Sequence, residues 1–408
     1  LCKQVRVFHL WGEFSDRHSL PRSTHALRAP RRACATIRPM ETAAAYRNPY
    51  EGGNLSDVGG ALRRAGFKQA NAPLTHMSMN YVEGPDNGLP LVLIPAQMGI
   101  WQTYEKVLVP LARSFHVFAI EIRGHGRSSW TSGDYTWSSM GGDVAEFVER
   151  VVGEPAIISG NSSGGIIGLW CASHAARWVR ALVLEDAPVF CVEMPRFKER
   201  DRFTYEGLRH LVDAIGDIGD RDLADYFRGQ VMPVSETRTK EMPEWFVSFI
   251  SRKLKQTAAR RPGSPVALDQ WYLPAILKRQ FQSLKTFDPD FARAFVDGRV
   301  YEDFSHEAAL RQVGVPLLVM HANWHRYERY GLVGAMDDDD ARRTRTTSGY
   351  LPTTSSTRSS RERSCGRSRT SPTHTASAEP IARRRPAQTP VCRRAALRHC
   401  HADDLRAL

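Results

Sequence analysis

The chain has 408 residues and a formal net charge of +12, a balance that by itself favours a nucleic-acid partner. The charge lies at the two ends, because residues 1–39 carry +6, residues 342–408 carry +11, and residues 40–341 carry −5. The region that folds is therefore mildly acidic, and nucleic-acid binding loses its support. Five of the seven cysteines also lie in the ends, which argues against a disulfide framework and favours a reducing, cytoplasmic location. No apolar run approaches the roughly 18–20 residues of a membrane span.

The two ends differ from the middle in composition as well as charge. Residues 1–39 are rich in Arg without an amphipathic face, so we expect a disordered or non-native N-terminal segment rather than a transit peptide. Residues 342–408 are rich in Arg, Ser and Thr, with fifteen Arg and no Lys. This tail is either disordered or the product of a shifted reading frame. The shifted frame is favoured, because the change coincides with the loss of expected structural elements.

Between the ends, short apolar or alternating segments are separated by segments with helical spacing. The predicted strands are 77–83, 91–94, 116–122, 156–158, 181–184 and 315–320. Residues 86–88 predict a turn between the first two strands, and helices are predicted between the second and the fifth. Strands that alternate with helices call for an α/β fold with a mostly parallel sheet, covered on both faces. Residues 190–312 interrupt this alternation with further helices.

A G-x-S-x-G motif spans residues 160–164, between a predicted strand and a predicted helix. This context is the one in which the central residue sits on a sharp, strained turn with its hydroxyl exposed. The flanking glycines let the chain pass without Cβ clashes, and the helix N-terminus presents N–H groups to an oxyanion. The motif predicts Ser162 as a nucleophile and Ser163 as a backbone N–H donor.

A second motif makes the pattern specific. Residues 121–128 read E-x-R-G-x-G-x-S and closely resemble the D-x-R-G-x-G-x-S turn of the α/β-hydrolase family, with Glu in place of Asp. The resemblance implies a mostly parallel α/β-hydrolase sheet with helices on both faces. It also implies a core at residues 40–189, a helical cap at 190–312 that covers the nucleophile, and an incomplete continuation of the core at 313–341.

The family's second oxyanion donor comes from the loop after the strand that ends at Ile94. The usual His-Gly is replaced there by Pro95-Ala96, so the resemblance implies the backbone N–H of Gln97 as the donor. For the acid, Asp186 at the end of the 181–184 strand is the candidate that the family's sheet order favours. Its alternative is an Asp that caps a loop. The run 337–340 is a runner-up, although four acidic residues there are typical of a helix start.

The catalytic histidine has no clear candidate in the sequence. His125 lies inside the 121–128 turn, which makes a structural role more favourable than that of a base. The order Ser, Asp, His places the base after a final strand. His374, His399 and His401 lie in the tail, and no predicted strand precedes them.

The resulting hypothesis is a serine hydrolase that acts on a small-molecule carboxylic ester or related acyl substrate through an acyl-enzyme. It implies no metal and no organic cofactor. The alternative is a catalytically impaired hydrolase-like protein that binds a small apolar ligand under its cap. The sequence leaves the oligomeric state open.

Overall fold

The computed structural model describes residues 46–52, 58–216, 222–302 and 304–348; the predictions for residues 1–39 and for the tail beyond residue 348 lie outside these ranges. The strands are β1 (Lys68–Pro73), β2 (Ser78–Glu83), β3 (Leu89–Ile94), β4 (Phe115–Ile120), β5 (Ala156–Asn161), β6 (Val179–Glu185), β7 (Val231–Pro233), β8 (Thr239–Glu241), β9 (Leu317–Met320), β10 (His325–Tyr327) and β11 (Gly331–Val333). The α-helices are α1 (Gly60–Arg64), α2 (Glu105–Leu111), α3 (Trp137–Phe147), α4 (Ser163–His174), α5 (Arg196–Glu199), α6 (Arg202–Ile215), α7 (Glu244–Arg260), α8 (Ala275–Lys285), α9 (Pro289–Asp297), α10 (His306–Gln312) and α11 (Asp338–Thr347).

One seven-stranded sheet organises the described residues, in the order β1-β2-β4-β3-β5-β6-β9. The five strands from β4 to β9 in this order are parallel to their neighbours, and β2 is antiparallel to both β1 and β4. The predicted α/β class with a mostly parallel sheet is confirmed. The sequence patterns do not predict β1, because its six residues include only one buried side chain, that of Ala72.

The sheet is buried on both faces. One face packs against α2 through Leu91, Leu93 and Leu108. The other face belongs to a larger apolar cluster that includes Ile158. This double burial explains why β3 and β5 are nearly continuous apolar runs rather than alternating ones.

The helical insertion, defined as residues 190–312, leaves the sheet after β6 and returns to it at β9. Leu211 of α6 and Phe281 of α8 are buried in the same apolar cluster as the sheet. The insertion therefore shares its core with the sheet, and it begins and ends at strands that are direct neighbours.

The described chain ends in α11. Asp337 is its N-cap, and its side chain accepts a hydrogen bond from the Asp340 backbone N–H, as the acidic run at 337–340 predicts. The helix continues to Thr347 and so crosses the boundary predicted after residue 341. None of the helices in the described ranges combines the length and apolar character that crossing a bilayer requires.

Candidate active site

Ser162 lies at the junction of β5 and α4, where the chain reverses direction. Its backbone has φ 51° and ψ −119°, a conformation that L-residues with a side chain rarely adopt and that stores strain. The turn is held by two hydrogen bonds, from the Ser162 N–H to the Glu185 carbonyl at 3.0 Å and from the Gly165 N–H to the Ser162 carbonyl at 2.9 Å. The half-buried Ser162 side chain is thus held at the edge of the sheet.

The glycines of the motif are required by close backbone packing. A Cβ on Gly160 would lie 2.1 Å from the Gly164 carbonyl oxygen. A Cβ on Gly164 would lie 2.5 Å from the oxygen of Ile94 and 2.7 Å from that of Pro95. These distances are far below van der Waals contact, so no larger residue fits without moving the backbone. Gly164 therefore brings the start of α4 directly against the loop that follows β3.

The loop after β3 is a tight turn. The Gly99 N–H donates to the Ala96 carbonyl at 2.7 Å, and Met98 has φ 59°. Gln97 is the second residue of this turn, and its side-chain Nε2 is buried without a hydrogen-bond partner in the described residues. Since β3 pairs with β5 at Ile94 and Gly160, Gln97 and Ser163 follow neighbouring strand ends.

His125 holds this turn through a hydrogen bond to its backbone. Its Nε2 accepts a hydrogen bond from the Met98 N–H at 3.0 Å, so its Nδ1 carries the proton and donates to the Arg123 carbonyl at 3.0 Å. Burial lowers the pKa of His125 to about 4. Both ring nitrogens are occupied and the ring is neutral at pH 7, an arrangement that suits a positioning role rather than proton transfer from Ser162.

The rest of the 121–128 turn is a network of buried polar groups. The Glu121 carboxylate accepts hydrogen bonds from the Asn80 amide at 2.7 Å and from the Arg127 N–H at 2.8 Å. Arg123 forms a buried ion pair with Asp143 at 2.6 Å. Glu121, at the position where the resembled motif has Asp, is thus held within this turn by the hydrogen bonds to its carboxylate.

Asp186 directly follows β6, the strand next to β5. Its φ is 49°, its N–H donates to the Met320 carbonyl at 2.8 Å, and its Oδ1 accepts from the Ala322 N–H at 3.1 Å. Burial raises the pKa of Asp186, while the Ala322 hydrogen bond and the nearby His321 oppose that rise. The carboxylate thus stands at the same edge as Ser162 but is turned towards the end of β9.

No histidine among the described residues is hydrogen-bonded to the Ser162 hydroxyl. His321, at the end of β9, is the one that shares this edge with Asp186, and its Nε2 donates to the Met336 carbonyl at 3.0 Å. Its Nδ1 lies 3.7 Å from the Asp338 carboxylate, so both ring nitrogens face residues that follow β9. His374, His399 and His401 lie outside the described residues.

Sequence reasoning missed a buried carboxyl beneath the site. Glu185, the last residue of β6, accepts hydrogen bonds from the hydroxyls of Ser159 and Tyr104, and burial raises its pKa. The Tyr104 hydroxyl also lies 2.9 Å from the Ile94 carbonyl. This layer connects the ends of β3, β5 and β6. The one signal in the sequence is a Glu that follows a buried apolar run.

The structure therefore brings Ser162, Ser163, Gln97 and Asp186 to the ends of three neighbouring strands, β3, β5 and β6. Within the described ranges, no group of three or more His, Cys, Asp or Glu side chains is arranged to hold a metal ion.

Comparison with known proteins gives matches over the same region. A family model described as "alpha/beta hydrolase fold" matches residues 90–323. The chain is 31% identical over 140 residues to pheophytinase, chloroplastic, of Arabidopsis thaliana, a match that covers 26% of this chain and 29% of that protein. It is 25% identical over 180 residues to the AB hydrolase superfamily protein YisY of Bacillus subtilis strain 168, with coverage of 42% and 63%.

Both matches span less than two thirds of the curated relatives' own length. Among solved structures, a hydrolase from Pseudomonas aeruginosa PA01 is similar at 21% sequence identity with a TM-score of 0.42, covering 62% of this chain and 78% of that one.

Proposed function

The chain belongs to the α/β-hydrolase family, and from that premise we propose that it is a serine hydrolase that acts on a small-molecule carboxylic ester or a related acyl compound. The observation that carries the proposal is the strained backbone of Ser162, φ 51° and ψ −119°, between a buried strand and the N-terminus of α4. Strain of this kind persists only where the surrounding structure imposes it, and it clusters at functional sites.

The proposed reaction has two steps. The Ser162 hydroxyl attacks the acyl carbon, its proton passes to a base, and the alcohol leaves with a proton to give an acyl-enzyme. Water then attacks the acyl carbon and releases the acid and the free serine. In both steps the negative oxygen would be stabilised by the backbone N–H groups of Ser163 and Gln97. Ser163 is the first residue of α4, so its N–H has no acceptor within the helix.

Asp186 would orient the histidine that acts as the base, as the carboxylate of a triad does. Two observations support this role: its position directly after the strand next to that of Ser162, and a half-buried carboxylate on a residue in a left-handed backbone conformation. The insertion would act as the cap, because it leaves the sheet next to Asp186 and rejoins it at β9. A cap in this position shapes the substrate pocket.

A second candidate function is binding of a small apolar ligand without turnover. The observation that favours it is that no histidine in the described residues is hydrogen-bonded to Ser162. The two functions differ in the reactivity of one hydroxyl, since only a serine with a base reacts quickly with an electrophile.

A fluorophosphonate probe tests the proposal directly. We expect the full chain to be labelled on Ser162 and to hydrolyse p-nitrophenyl esters. Ser162→Ala should abolish labelling and lower kcat/KM by several orders of magnitude. Ser163→Ala is the matched control: it retains the backbone N–H and removes only a buried hydroxyl that has no hydrogen-bond partner among the described residues, so labelling should persist. An unlabelled wild-type chain that still binds an apolar fluorophore would instead establish the second function.

A further inference from the structure

The net charge of the folded region is divided unevenly. We define the basic segment as residues 228–285, which include β7, β8, α7 and α8. It contains eleven Lys and Arg against four Asp and Glu, a net charge of +7, whereas the remainder of residues 40–341 carries −12. The mild acidity of the folded region therefore conceals one basic segment, whose Arg228 and Arg279 are paired with acidic residues outside it.

Large apolar side chains are exposed on the same segment. Trp271 is 89% exposed, Trp245 is 69% exposed and Tyr272 is 48% exposed. Val231, Val234 and Ile276 are the others in this segment. Outside the segment, the described residues include one more such side chain, Met194. Large apolar and aromatic side chains are costly to leave in water, so their concentration in one basic segment indicates a partner.

Helix α7 organises this surface. Its inner face is formed by Val247, Ile250 and Leu254, which are buried. Trp245 and Arg252 are seven residues apart and both are exposed, so they lie on one outer face, about two turns from each other. Lys255 continues that face, and its ion pair with Asp222 is 3.5 Å long with the lysine 75% exposed.

The second tryptophan lies at the opposite end of α7. Asp269, two residues before Trp271, accepts hydrogen bonds from Thr257 at 3.1 Å and from Arg260 at 2.5 Å. These contacts hold Asp269 at the C-terminal turn, with Trp271 two residues further along the chain, while Trp245 lies in the N-terminal turn. A helix of 17 residues is roughly 25 Å long, so two aromatic side chains mark the ends of a basic helical surface.

We propose that the outer face of α7, with Trp245 and Trp271 at its two ends, docks on an anionic lipid surface. Tryptophan and tyrosine have apolar rings with a polar edge, which suits the headgroup level of a bilayer. Lysine and arginine beside them are attracted to anionic headgroups. A helix with an apolar inner face already packed on the protein core can lie flat on such a surface without inserting across it.

The test is co-sedimentation of the full-length protein with lipid vesicles. We expect binding to vesicles with about 30% phosphatidylserine and much weaker binding to pure phosphatidylcholine. Trp245→Ala/Trp271→Ala should weaken binding at least about tenfold, with circular dichroism unchanged because both side chains are exposed. Trp fluorescence of the wild type should be quenched by lipids with brominated acyl chains, and the double variant should lose most of that quenching.

The charge requirement has a matched control. Arg252→Glu/Lys255→Glu should weaken vesicle binding, whereas Arg63→Glu/Arg64→Glu, the same change of charge on the exposed surface of α1, should not. Equal losses in the two pairs would show attraction by net charge alone and overturn the proposal. Vesicle binding that survives the loss of both tryptophans would overturn it too, as would preference for nucleic acid or an acidic protein over lipid. Ser162→Ala should bind vesicles normally, which separates this proposal from the one on catalysis.

Discussion

The ends of β3 and β5 are close-packed, whereas the ends of β6 and β9, at the other side of the same sheet edge, are more exposed. Residues 156–160 of β5 are all buried, and Gly164 touches the carbonyl groups after β3. All four residues of β9 are only half-buried. Asp186, between the two sides, has a half-buried carboxylate that accepts one hydrogen bond from Ala322 in the described residues. The nucleophile position is therefore imposed by close backbone packing, whereas Asp186 is held by its backbone hydrogen bond to Met320 and by the bond from Ala322 to its carboxylate.

The largest expected effect is at Asp186, on the side of the sheet edge formed by β6 and β9. Asp186→Asn should lower kcat for ester hydrolysis by roughly 10²–10⁴-fold, because an amide cannot hold the base in the required tautomer. Asp337→Asn and Asp338→Asn are the controls. Asp337 caps α11, so its replacement should affect stability by about 1 kcal/mol or less and leave kcat nearly unchanged. Steady-state kinetics of the three variants decide the assignment, and equal effects at the three positions contradict it.

The same contrast explains what the sequence could predict. The sharp turn at Ser162 and the parallel sheet were predictable, because glycine spacing and apolar runs depend directly on backbone packing. The polar contacts that place Asp186 and Glu185 join residues far apart in the chain, such as Asp186 with Ala322 and Glu185 with Tyr104. No local pattern encodes such pairs. The edge strand β1 was missed because it is mostly half-exposed and its register comes from pairing with β2.

The packing between the start of α4 and the end of β3 leaves no room for an added methyl group at Gly164. Gly164→Ala places a Cβ 2.5 Å from the Ile94 carbonyl oxygen, so we expect a loss of roughly 3 kcal/mol in the free energy of unfolding, together with lost activity. The matched control is Gly142→Ala in α3, where a Cβ has nothing within 4 Å and should stabilise the helix by about 0.5–1 kcal/mol. Urea denaturation measures both. Similar stabilities for the two variants would contradict the packing argument.

His125, which holds the loop after β3, makes the free energy of unfolding depend on pH. Its pKa is about 4 in the fold, against an ordinary value of 6.5. Between these values the unfolded chain binds more protons, so stability falls as pH drops from 6.5 towards 4. At pH 4.5 the loss from this residue is roughly 2–3 kcal/mol relative to pH 7.

His306, also buried, has a pKa lowered to about 3 and adds a loss of the same sign. His125→Asn should therefore reduce the fall in stability between pH 7 and pH 4.5 by roughly 2–3 kcal/mol without abolishing it. Urea denaturation at the two pH values checks this. An identical fall in the wild type and the variant would show that folding does not lower the pKa of His125.

The smallest expected effect is at Gln97, in the loop after β3. It distinguishes the role of the Gln97 backbone N–H from that of its side chain. The proposed oxyanion donor is the Gln97 backbone N–H, which every residue except proline supplies. The Gln97 side-chain Nε2 is buried without a partner in the described residues, and a buried polar group without a partner costs stability. Gln97→Ala should therefore leave kcat/KM for ester hydrolysis within about threefold of the wild type and should not lower the free energy of unfolding. A loss of 10²-fold or more, the size expected for a missing oxyanion donor, would show that the amide side chain itself contacts the reacting oxygen.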